Sequence, residues 1–116
     1  MSQELSDDAK ACIEACTACH DVCMETSAHL RMQGHGDEGQ IGALLDCAEL
    51  CRMAASFLMR DSALHSMVCV LCADACLRAA RDCERFEEAR MRQVANACRR
   101  TADRCRRVAA VATAMM

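Results

Sequence analysis

The cysteines of this chain recur three, four or seven residues apart: Cys12, Cys16, Cys19 and Cys23, then Cys47 and Cys51, then Cys69, Cys72, Cys76 and Cys83, then Cys98 and Cys105. Those steps trace one face of an α-helix, so each group predicts a stripe of thiols along one side of a helix. Stripes of this kind are satisfied together when the helices turn them toward a shared axis. The pattern therefore predicts an all-α chain whose core is lined with sulfur. A thiol packs as a small hydrophobe, but many thiols on facing surfaces are also a set of soft metal donors.

The rest of the chain fits that arrangement. Val, Ile, Leu and Phe number only 19 among 116 residues, so 22 Ala, 12 Cys and 9 Met have to supply much of the core volume. A net charge of -3 is too small to force the chain open. Proline is absent and the four glycines lie between Gly34 and Gly42, which confines the helix breakers to one segment. Residues 1–116 are of a length for one domain with one modest core. Met1 to Lys10 carries Glu4, Asp7 and Asp8 without an apolar stretch, and no apolar run is long enough to cross a bilayer. These features predict a soluble, cytoplasmic protein with no membrane partner. In that reducing compartment, cysteine at this density points to metal or redox chemistry.

Four helices can be placed. Ser6 is the expected cap of the first, with Asp7 and Asp8 at its positive end, and the helix runs to about Arg31. The segment from Gln33 to Gly39 reverses the chain. A second helix from about Gln40 to Met59 carries Leu44, Cys47, Cys51, Ala54 and Leu58 on one face. Asp61 or Ser62 is the expected cap of the third, which carries His65, Cys69, Cys72, Cys76, Ala79 and Cys83 and ends near Arg85. The fourth aligns Met91, Val94, Cys98, Ala102, Cys105 and Ala109. Short connections make neighbours antiparallel, giving an up-down-up-down four-helix bundle in which the stripes overlap in height.

Two cysteines four apart on a helix have Cβ atoms about 5–6 Å apart, too far for a disulfide but suited to a shared metal ion. Cu(I) suits them best, being soft and content with two or three thiolates. Zinc prefers four ligands from turns, and the C-x2-C-x2-C or C-x4-C-x2-C runs of iron–sulfur proteins are missing. A dozen thiolates in a dry core require compensation, so the metal-free protein keeps neutral thiols and each Cu(I) displaces a proton. Neutrality is reached at about one ion per thiolate, or about twelve Cu(I), which is the capacity of a reservoir. The competing readings are a thiol redox protein with one reactive pair, a disulfide-stapled helical scaffold, and a zinc or iron–sulfur protein.

The runs C-x3-C-x2-C-x3-C at Cys12 to Cys23, C-x3-C at Cys47 and C-x2-C-x3-C at Cys69 resemble the bacterial copper storage proteins, cysteine-rich four-helix bundles. The resemblance covers essentially the whole chain. It implies that all twelve cysteines are Cu(I) ligands, that this is a cytosolic storage and detoxification protein with no catalytic turnover, and that it assembles as a homo-oligomer, a tetramer in known members. It does not identify a copper donor or acceptor protein.

Other signals are weaker. Cys16 to His20 matches the C-x-x-C-H haem attachment pattern, yet both cysteines already belong to a longer stripe. His65, one turn before Cys69, is a candidate ligand at one end of the bundle, and Met91 a candidate thioether at the other, near Met24, Met32, His29 and His35 in height. Phe57 and Phe86 are read as structural. Eight arginines after Glu84 face only Glu87, Glu88 and Asp103, but without Tyr, Trp or a recognition motif they predict a solvated or subunit-facing surface and no nucleic-acid partner.

Overall fold

A computed structural model describes residues 5–34 and 36–114, and these form α1, Asp7–Gln33, α2, Glu38–Met59, α3, His65–Glu84, and α4, Ala89–Ala114. α1 packs on α2, α2 on α3, α3 on α4, and α4 returns to α1, closing an antiparallel bundle that measures 50 × 23 × 20 Å. His35 lies outside the described residues.

The helix ends follow local chemistry. Ser6 caps α1 by accepting the Ala9 amide at 3.1 Å, and Gly34 ends it in the left-handed region at φ 67°. α2 begins two residues before the expected Gln40. Asp37 accepts the Gln40 amide at 2.7 Å, so Gly39 is drawn into the first turn.

The cap expected for α3 is not the one formed. Leu64 occupies the N-cap position with no side-chain bond to the helix, and Asp61 and Ser62 belong to the end of α2 instead. Asp61 adopts φ 51°, its amide donates to Leu58 O at 3.1 Å, and the Ser62 amide donates to Phe57 O at 2.9 Å. That pair of bonds is a Schellman closure built on aspartate where glycine is usual. Ser62 then serves α3 from outside, its Oγ accepting the Leu64 amide at 3.1 Å and its carbonyl accepting the His65 amide at 3.1 Å.

Small residues let the helices approach. Ala48, Ala54, Ala73, Ala79, Ala80, Ala95 and Ala102 are buried beside the cysteines, so the backbones come close enough for sulfurs on different helices to touch. Large apolar side chains gather toward the ends, with Leu30, Leu44, Met91 and Val94 buried at one and Leu58 and Val108 at the other. The core is widest in sulfur along its middle.

Candidate metal centre

Every cysteine reaches the interior, and none exceeds 1% exposure. All twelve are free thiols. Four groups of sulfurs lie mutually within 4.8 Å: Cys12, Cys69 and Cys105; Cys16, Cys72 and Cys105; Cys19, Cys47, Cys51 and Cys76; and Cys19, Cys23, Cys47 and Cys98. The triads share Cys105, and the quartets share Cys19 and Cys47. Cys72 to Cys51, at 3.7 Å, joins the two halves. Eleven sulfurs drawn from all four helices thus make one continuous array along the axis.

The contacts within it have the spacing of shared metal ligands. Cys105 lies 3.6 Å from Cys12 and 3.7 Å from Cys16; Cys47 lies 3.5 Å from Cys76; Cys19 lies 3.8 Å from Cys98 and 3.9 Å from Cys47. With a metal–sulfur bond of about 2.3 Å, three sulfurs around one ion sit about 4.0 Å apart, four about 3.8 Å, and two opposed sulfurs about 4.6 Å. The thiol contacts therefore already stand near the separations that coordination requires.

Distance alone does not separate copper from zinc; charge favours copper. The only buried polar or charged side chains among the described residues are Thr26, Ser27, Gln40 and Thr101, so no buried cation balances an anionic cluster. A divalent ion with four thiolates of its own keeps two negative charges that such a core does not compensate, and it is neutral only at two thiolates per ion. A monovalent ion per thiolate leaves none.

The thiols differ in their hold on protons. S–H groups around Cys16, that of Cys105 foremost, favour its thiolate and hold its pKa at about 6. Cys105 and then Cys12 do the same for Cys69, held at about 4. Cys105 is driven above the ordinary thiol range by its bonds to Cys12 and Cys16, and Cys51 likewise by Cys16 and Cys19. Burial pushes the Cys83 thiol up.

The sequence-predicted candidates do not all join the array. Cys83 is fully buried but belongs to none of the four groups; its polar neighbour is Gln40 Nε2 at 3.8 Å. Met91 is buried at the same end, with Gln40 Nε2 3.1 Å from its Sδ. His65 is half-buried, its Nδ1 2.9 Å from Ser62 O, and it lines a cleft of about 340 Å³ with Asp8, Leu58, Asp61 and Val108 at the Cys69 end. No ring nitrogen of His65 falls within a sulfur group. His20 of the haem-like motif binds Ala48 O through Nδ1 at 2.8 Å, tying α1 to α2, while Cys16 and Cys19 face the array.

Gln40 escaped the sequence reading. It precedes Leu44 by four residues and Cys47 by seven, so it extends the inward stripe of α2, but a polar residue near a helix start reads as surface. The arginine-rich segment is partly paired: Arg99 grips Glu84 through two bonds of 2.6 and 2.8 Å, and Arg85 meets Asp37 at 3.0 Å.

Known proteins resemble this chain in sequence and in fold. Residues 1–110 match the family described as Csp, copper storage protein. The uncharacterized cysteine-rich protein YhjQ of Bacillus subtilis is 31% identical over 76 residues, 66% of each chain. Among solved structures, apo-Csp3, copper storage protein 3 from Bacillus subtilis, superposes with a TM-score of 0.82 at 31% identity, covering 87% of this chain and 98% of that one. The Cu(I)-bound copper storage protein BsCsp3 superposes at 0.80 with 28% identity, covering 89% and 99%.

Proposed function

The chain belongs to the copper storage protein family, and on that premise we propose that it stores Cu(I) as a thiolate-bound cargo along the axis of its bundle. The observation that carries this reading is the continuous array of eleven buried sulfurs in a core without buried cations among the described residues, which a monovalent soft ion for each thiolate leaves electrically balanced. The family is not enzymatic, and the geometry agrees with that: a thiol oxidoreductase needs a reachable thiolate, whereas no cysteine here is more than 1% exposed.

All twelve cysteines serve as ligands in this reading, with Met91 and His65 as auxiliary donors at the two ends, and capacity approaches about twelve Cu(I) per chain. Residues 1–116 act as one domain. The protein works in the cytoplasm, where a reducing medium keeps the thiols free; no helix among the described residues is long and apolar enough to cross a membrane. A homo-oligomer, a tetramer as in the family, is supported by Met53, Met67, Val70 and Leu71, large apolar side chains 45–68% exposed on α2 and α3.

The test is anaerobic titration of the reduced protein with Cu(I) in competition with a Cu(I) chelator. Graded uptake toward about twelve ions is expected, each displacing up to one proton. Saturation below four tightly held ions overturns the storage reading.

A further inference from the structure

Cys83 stands apart from the eleven thiols of the array. Its neighbour is the carboxamide of Gln40, whose Nε2 lies 3.8 Å from Cys83 Sγ and 3.1 Å from Met91 Sδ. A thiol and a thioether from α3 and α4 therefore converge on one amide from α2. Cys83 is 0% exposed, Met91 1% and Gln40 1%, and Gln40 Oε1 is buried without a hydrogen-bond partner. Native interiors rarely leave such an atom unpaired, so the amide is poorly satisfied where it lies. The backbone makes room for it: a Cβ at Gly36, where φ is 79°, would meet Gln40 Oε1 at 2.7 Å.

We propose that Cys83 and Met91 form a separate two-sulfur Cu(I) site outside the thiolate array, and that Gln40 holds its place in the copper-free protein. The proposal rests on the copper-storage reading and deepens it. When Cu(I) enters, the Cys83 thiol proton leaves to solvent, the thiolate and the Met91 thioether each donate a lone pair, and the product is neutral with no change of oxidation state. The Gln40 amide turns aside and keeps its N–H on Cys83 Sγ, a bond that strengthens once the acceptor carries charge.

A neutral thioether does not bridge neighbouring ions as a thiolate does, so this ion is held independently and more loosely than those of the array. It fills last and leaves first. Cargo at this end of the bundle thus has a position from which it exchanges without disturbing the shared sulfurs.

The experiment follows the nine methionine methyl groups by NMR of [13C-methyl]methionine protein during anaerobic Cu(I) titration, with the Met91 signal assigned from Met91→Leu. The Met91 methyl is expected to move over the last equivalent taken up. Met91→Leu conserves volume and should fold normally while losing one ion of capacity. Cys83→Ser should abolish the methyl shift and lower capacity by one ion, leaving the rest intact. Gln40→Leu should weaken that last ion about tenfold or more through loss of the N–H donor. A Met91 signal that stays fixed through full loading, or that moves equally in Cys83→Ser, overturns the proposal. Failure of the storage reading is separate: uptake then stops below four ions, whatever the methyl group does.

Discussion

Cys105 touches Cys12 at 3.6 Å and Cys16 at 3.7 Å and belongs to both triads, so its sulfur is positioned to bridge two ions. Cys23 belongs to a single quartet. Cys105→Ser should therefore weaken the binding of more ions than Cys23→Ser does, as read by chelator competition. Equal effects would mean that Cys105 bridges no more ions than Cys23 does. The protons divide the thiols in another way. The S–H groups around Cys69, that of Cys105 foremost, and those around Cys16 favour the thiolate, so copper arriving there displaces its proton more easily. Cys51, Cys105 and Cys83 are shifted upward and still carry their protons. Copper on the raised thiols must displace a proton, so its apparent affinity falls as pH falls. Copper on Cys69 is the less sensitive to falling pH, because its thiol is shifted downward. Chelator competition at a series of pH values should accordingly show affinity falling more steeply with falling pH for some ions than for others, and one uniform pH dependence would contradict the division.

Among the elements, the inward stripes were legible because helical periodicity is set by backbone geometry and needs no knowledge of the partner. Met91, Val94, Cys98, Ala102, Cys105 and Ala109, read from spacing, are all buried in α4. The segment after α2 was not legible. Arg60 to Leu64 lacks glycine, so nothing in the sequence announced that Asp61 would take φ 51° and close the helix, leaving Ser62 to support α3 from outside. The isolation of Cys83 was hidden for a different reason: its spacing from Cys76 is the same seven-residue step found in the array, and only packing reveals that Gln40 fills the space beside it. The Asp61 geometry carries its own test. Asp61→Val, which puts a β-branched residue in the left-handed region, should cost about 1–2 kcal/mol, whereas Asp61→Gly should not destabilise. Thermal or denaturant unfolding of the copper-free protein distinguishes them, and a harmless valine would show that the turn does not hold this conformation.

For the whole molecule, the cargo and the core are the same material. The copper-free bundle is held by cysteine and alanine with few large apolar side chains, so each helix seam contributes modest burial. Loading changes this because the sulfur groups join different helices: Cys12, Cys69 and Cys105 link α1, α3 and α4, and Cys51 with Cys72 links α2 to α3. An ion in such a group binds the folded chain far better than the unfolded one and stabilises it by about 4 kcal/mol when free ligand stands a thousandfold above its dissociation constant. For a domain of this size, 1 kcal/mol moves the melting midpoint by a few degrees, so even a few filled sites raise it by about 20 °C or more. The loaded protein should therefore melt well above the copper-free one by differential scanning calorimetry under anaerobic conditions. Stripping with excess chelator should return the lower midpoint. Coincident transitions would mean that copper sits on the surface and leaves the axial sulfurs untouched, since ions outside the core cannot tie the four helices together.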